Sequence, residues 1–171
     1  MLFTNPEIDI STLPKAEETR LVPVDERHYT VLVYNQVLYW IIFFVATLVA
    51  MILNREFHSW MMTGITLLVF ATLCFLHFRF TYLTFKNKAY AIREHDILYQ
   101  TGWLRKSLHV CPYNRIQHCS VDAGVFERNL GISKLKIYTA GGDASDIVIP
   151  GLTPEEANSM RELIIQKNQQ E

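Results

Sequence analysis

Residues 37–53 read VLYWIIFFVATLVAMIL and residues 60–76 read WMMTGITLLVFATLCFL, with only NREFHS at 54–59 between them. Neither run holds a charged side chain. The hydrocarbon core of a bilayer is roughly 30 Å thick and takes about 20 apolar residues as helix. Each run reaches that length with its flanks, Tyr34 to Gln36 before the first and Phe78 to Phe80 after the second. The sequence therefore predicts a transmembrane helical hairpin over 34–80, with spans at 34–53 and 60–80.

The first run carries eleven strongly apolar residues, from Val37 to Leu53, worth roughly −3 to −6 kcal/mol of insertion free energy together. The second carries eight, and Thr63, Gly64, Thr66 and Thr72 dilute it, so a packed partner helix would help it insert. Ala46 and Ala50 lie four apart on one helix face, and Gly64 falls at about the depth of Ala50 across the short loop. Small residues at such a point let helices approach closely, which makes these three the candidate packing contact, although alanines so spaced are also ordinary helix filler. The competing account of the hairpin is a pair of core helices in a soluble protein. Such helices would show a polar face, and here Tyr34, Tyr39, Trp40 and Trp60 stand near the ends, where aromatic rings favour the membrane interface. A cleavable signal peptide would start earlier and would not follow an acidic segment.

Basic residues near the spans set the expected orientation. Arg20 and Arg27 precede the hairpin, Arg79, Lys86, Lys88 and Arg93 follow it, and the connecting loop offers Arg55. Both termini are expected in the cytoplasm. Cys74, Cys111 and Cys119 form no CxxC and suggest no disulfide framework, in keeping with a reducing compartment. The formal charge of −1 hides an acidic leading segment and a mildly basic trailing one. Neither has the basic excess of a nucleic-acid module, so that class is set aside.

Residues 1–33, with Pro6, Pro14 and Pro23, read as an extended cytoplasmic leader. Residues 81–171 read as one modest domain. There the periodicity falls to two: Lys134, Lys136 and Tyr138 alternate with Leu135, Ile137 and Thr139, the mark of a strand with one buried face. Similar short runs at 84–93, 97–101, 107–110, 115–121 and 146–149 are divided by turn signals such as Gly102, Pro112-Tyr113-Asn114, Asn129-Leu130-Gly131 and Gly141-Gly142-Asp143. An antiparallel, locally connected sheet is expected. A helix closes the chain: Thr153 caps it, Pro154 takes the first helical position, and Glu156 completes a capping box. Ala157, Met160, Leu163 and Ile164 then form an apolar stripe. The expected fold is membrane-anchored α+β: the hairpin, then a bent antiparallel sheet or barrel of pleckstrin-homology type plugged by the C-terminal helix.

Four segments in order after the hairpin make this specific: Pro112 to Gln117, Phe126 to Ile132, Tyr138 to Gly142 and Ile149 to Leu152. Together they resemble the bacterial membrane-anchored pleckstrin-homology-like family, second type, and the hairpin with its leader resembles the family's small single-domain members. Asp122-Ala123-Gly124 departs from the family pattern of a glutamine before the glycine. The resemblance implies a non-catalytic module facing the cytoplasm at the bacterial inner membrane, with larger multi-domain relatives. It supplies no ligand.

Two kinds of binding site can be read from the residues. Lys86, Lys88, Arg105 and Lys106 stand near the second span, where each basic side chain facing an anionic leaflet is worth about 1 kcal/mol. They are candidates for lipid headgroups, or simply topology determinants that solvate strand ends. Tyr113, Arg115 and Gln117 sit where a sheet corner can present an aromatic ring and a planar donor to a protein partner, and an open edge strand can accept another chain or a second copy. Arg115 can instead pair internally with Asp122 or Glu127. As an enzyme the chain offers little: His109, Cys111, His118 and Cys119 are the one suggestive group, and adjacent strand residues face opposite ways, so His118 and Cys119 cannot share a centre without a bulge. No metal, cofactor, nucleic acid or small-molecule substrate is expected. The expected partners are membrane lipids and either a second copy or a larger multi-domain relative. The leading expectation is an interaction or scaffold module in an oligomeric membrane assembly, with headgroup binding second and a Cys/His enzyme a distant third.

Overall fold

A computed structural model describes residues 19–54, 59–140 and 146–168. Most of the expected leader, the loop residues Arg55 and Glu56, and the Gly141-Gly142-Asp143 turn lie outside the described residues. The elements run β1 (Val22–Pro23), α1 (Glu26–Leu53), α2 (Trp60–Lys86), β2 (Ala89–Ile92), β3 (Asp96–Thr101), β4 (Ser107–Pro112), a 3-10 turn (Tyr113–Arg115), β5 (Ile116–Asp122), α3 (Val125–Asn129), β6 (Ser133–Thr139), β7 (Ile147–Leu152) and α4 (Pro154–Asn168).

The expected extended leader gives way at its end to helix. Asp25 is the N-cap of α1 and accepts the Arg27 amide at 2.7 Å, so Glu26 to Val33 form the first turns of α1. At 28 residues the helix is about 42 Å long, and its first turns form a foot that precedes the apolar run at 37–53. That foot is built into the sheet domain. Val24, His28 and Val31 are buried, Arg27 reaches the Leu130 carbonyl at 3.3 Å, and β1 pairs antiparallel with β2. Gly151, at φ +71°, makes this approach feasible: a Cβ there would lie 2.6 Å from Val24 Cγ1 and 3.1 Å from His28 Cβ.

Beyond the foot, the apolar lengths of α1 and α2 are almost wholly exposed. The two helices meet at the domain end. Gln36 donates to Thr81 Oγ1 at 2.7 Å, Trp40 donates to His77 Nδ1 at 3.1 Å, and Phe43 stacks on Phe70. The expected packing of Ala46, Ala50 and Gly64 is not observed. Both alanines are exposed, and a Cβ on Gly64 would meet nothing within 4 Å. Trp40, Phe43, Phe44 and Phe70 fill the space between the helices. Rings of that size keep the axes too far apart for small residues to touch.

α2 runs into β2 through Asn87 and Lys88 alone. β1-β2-β3-β4 form one antiparallel sheet and β5-β6-β7 a second. Along β6 burial alternates as expected, with Leu135 and Ile137 at 0% exposure and the lysines outward. The core joins Ile97, Tyr99, Cys111, Tyr113, Ile116, Leu135, Ile137, Ile149 and Leu152 to Ala157 and Ile164 of α4. The α4 capping box forms as expected: Thr153 N donates to Glu156 Oε2 at 2.9 Å and Glu156 N to Thr153 Oγ1 at 3.2 Å. Leu163, expected in the apolar stripe, faces outward.

Gly151→Ala is expected to lower the stability of the full chain in detergent by about 2 kcal/mol or more, through left-handed strain plus the Val24 clash. Gly64→Ala should leave it unchanged. Thermal unfolding of the two variants, followed by circular dichroism, checks the pair.

Candidate functional site

Four places bear on binding. The first is the junction between the α1 foot and the sheets, where a cleft of about 520 Å³ is lined by His28, Asn35, Lys88, Thr101, His109 and Lys134 among others. Lys88, expected to face a leaflet, points into this cleft instead: its ammonium lies 3.5 Å from His28 Nε2, and burial pulls its pKa below the usual lysine range. It is a junction residue, held there because β2 starts directly after α2. Glu127, on α3, is buried, accepts the Gly124 amide at 2.6 Å and pairs with Lys134 at 3.4 Å. His28 is 6% exposed, and its Nδ1 has no hydrogen-bond partner. Burial, then the positive charge of Lys88, pushes its pKa down to about 4, with Glu127 opposing and Lys134 adding to the shift. Nothing in the sequence around His28 marks it out, since its burial depends on Gly151 more than a hundred residues away.

The second place is the β3–β4 turn, which carries Arg105 and Lys106, both exposed. Lys86, at the end of α2, is exposed as well. The turn also presents Trp103 and Leu104, 41% and 86% exposed, and the Trp103 ring lies edge-on to Phe80 of α2 with centroids 6.0 Å apart. Arg105 and Lys106 thus share the turn that meets α2, Lys86 lies further along α2 beside Glu26 and Tyr29, and Lys88 faces the junction cleft.

The third is the corner from β4 to β5. Tyr113, whose turn predicts a ring offered to a partner, is fully buried, and its hydroxyl donates to the Arg93 carbonyl at 2.8 Å. The 3-10 turn rolls it inward to fill the space between the sheets. Arg115 and Gln117 are exposed. The internal partners suggested for Arg115 are engaged elsewhere: Asp122 pairs with Lys136 at 2.7 Å and Glu127 with Lys134.

The fourth is a cleft of about 260 Å³ between β5 and α4, lined by Gln117, His118, Cys119, Ile164, Ile165 and Asn168 among others. Among the described residues β5 has one strand neighbour, β6, so its other edge is open. Asn168 donates to the Ile116 carbonyl at 3.0 Å and closes only the start of that edge. On the β5–β6 face His118 stacks on Tyr138 at 4.2 Å.

The suggestive Cys/His group does not converge on a centre. Cys111 lies in the core and Cys119 is partly covered; burial raises both thiols, against thiolate formation. Among the described residues no three His, Cys, Asp or Glu side chains are placed to hold a metal ion.

These features define a pleckstrin-homology-like module joined to two long apolar helices. The family model for the bacterial PH domain matches residues 31–168, and the chain belongs to that family. A solved structure of a DUF1696 family protein with a pleckstrin-homology domain, from Shewanella loihica PV-4, is similar at 19% identity; the match covers 47% of this chain and 70% of that one, with a TM-score of 0.36. A search of curated proteins found no match. Family membership supports a binding or scaffold module.

His28 gives the junction a pH signature. Its pKa is about 4 when folded and 6.5 by its ordinary value, so between these limits the unfolded chain holds more protons. Stability should therefore fall as pH drops from about 6.5 towards 4, by at most about 3 kcal/mol. Unfolding midpoints across this range should show a shallower acid limb in His28→Gln; an equally deep limb would place the proton uptake elsewhere.

Proposed function

We propose that the chain is a non-enzymatic scaffold of the bacterial inner membrane. α1 and α2 cross the bilayer, both termini lie in the cytoplasm, and the PH-like domain binds a protein partner on its β5–α4 side. The exposed apolar lengths of both helices support the anchoring. The excess of Arg and Lys at the domain end, against Arg55 in the loop, supports the orientation.

The observation that carries the binding reading is the β5 edge, unpaired by any described strand, beside the cleft of mixed polar and apolar lining under α4. Backbone groups along a free edge pair with an extended segment of another chain, and side pockets select its residues. Arg115 and Gln117 flank the start of this edge and keep the interaction role expected of them, with Tyr113 supporting the corner from within. The partner is an extended segment of a second copy or of a larger relative.

A photoreactive residue at position 117 in membrane-embedded full chain should give a polypeptide adduct of defined mass. Arg115→Glu, at an exposed side chain, should abolish that adduct without moving the unfolding midpoint. Absence of any adduct from position 117 would exclude this edge as the docking site.

Headgroup binding by Lys86, Arg105 and Lys106 is a second reading, favoured by the contact between the β3–β4 turn and α2.

A further inference from the structure

α2 provides a depth scale for everything beside it. Phe80 precedes the last helical residue, Lys86, by six positions, or about 9 Å along the axis. The β3–β4 turn lies against Phe80, so it extends back along α2 towards the apolar stretch. Arg79 stands next to Phe80 with its guanidinium over the Tyr82 ring. A long basic side chain and an aromatic ring together mark the level where headgroups meet hydrocarbon.

At that level the turn is apolar at its tip and basic behind it. Leu104 is 86% exposed and Trp103 meets Phe80 with one edge while 41% of it stays open. Arg105 and Lys106 follow directly. The hairpin beneath is stiff. β3 and β4 pair in register up to Thr101 and Ser107. Gly102, at φ +93°, turns so tightly that a Cβ would clash with the Arg105 carbonyl oxygen. A turn of fixed shape that offers leucine and tryptophan beside a helix already wrapped in lipid has the lipid as its natural cover.

We propose that Gly102 to Lys106 form an interfacial wedge, a third membrane attachment in which Trp103 and Leu104 enter the headgroup–acyl boundary of the leaflet that α2 leaves. Arg105 and Lys106 then lie on anionic lipid phosphates. This rests on the reading that α1 and α2 cross the bilayer, and it is independent of the protein partner at β5. It gives Arg105 and Lys106 a shared partner and assigns the adjacent apolar pair a purpose.

The test uses full chain in nanodiscs of phosphatidylcholine and phosphatidylglycerol. Trp40→Phe with Trp60→Phe leaves Trp103 as the one emitter; Trp60→Phe with Trp103→Phe leaves Trp40, inside the hairpin, as the reference. Lipids brominated high on the acyl chain should quench both, lowering Trp103 emission about twofold as expected for an interfacial ring, while aqueous iodide should scarcely touch it. Leu104→Asp, at a side chain too exposed to matter for folding, should return Trp103 to iodide. Bromolipid quenching of Trp40 with iodide quenching of Trp103 would overturn the wedge and leave the hairpin standing. Quenching of Trp103 by neither agent would mean that protein covers the turn, and would overturn it too. If bromolipids quench neither tryptophan, the transmembrane reading fails and the wedge falls with it.

Discussion

At residue 151 the backbone passes within contact distance of Val24, Asp25 and His28 with no side chain between. The foot of α1 lies flat on β7 only because of that gap. With the foot in place, Arg27 reaches the Leu130 carbonyl, β1 pairs with β2, and Tyr34 meets Phe126. Two of these contacts tie α1 to α3 and its cap, and the third ties the segment before α1 to β2. A methyl group at one position acts against all of them together, because well-packed interiors do not absorb an added carbon locally.

The resulting junction buries polar groups as well as apolar ones. His28 and Lys88 are both held where their charged forms are disfavoured, and Lys134 and Glu127 face each other across the same cleft. Lys88 Nζ and His28 Nε2 meet at 3.5 Å beside that pair. Glu127 balances Lys134, while Lys88 adds positive charge beside His28. Lys86, Arg105 and Lys106 carry further basic charge on the exposed surface outside the cleft.

Features set by local pattern are legible in the sequence. The helical hairpin follows from two uncharged runs, β6 from strict alternation, and α4 from Thr153, Pro154 and Glu156; the structure has each of these elements, although α1 begins eight residues before the expected span and α2 ends six after it. Features set by distant parts of the chain are not. The foot of α1 is polar enough to resemble a leader, and only packing on β7 makes its burial evident. Tyr113 stands in a Pro-Tyr-Asn turn that looks exposed, yet the turn delivers the ring between two sheets. Lys88 matches the other basic residues in type and differs in facing inward. Gly64 resembles a packing residue because helix separation cannot be inferred from one-dimensional depth; aromatic rings nearer the domain set it.

The two-residue passage from α2 to β2 has a mechanical consequence. Helices in bilayers tilt to match their hydrophobic length to the local thickness. A flexible linker would absorb that motion, but the Asn87 side chain donates back to the Leu83 carbonyl and Lys88 N to the Phe85 carbonyl, so the joint is a hydrogen-bonded cap with little slack. With α2 in a bilayer, as proposed, a change in its inclination would pass through this joint into the sheets and move the far end of the domain farthest.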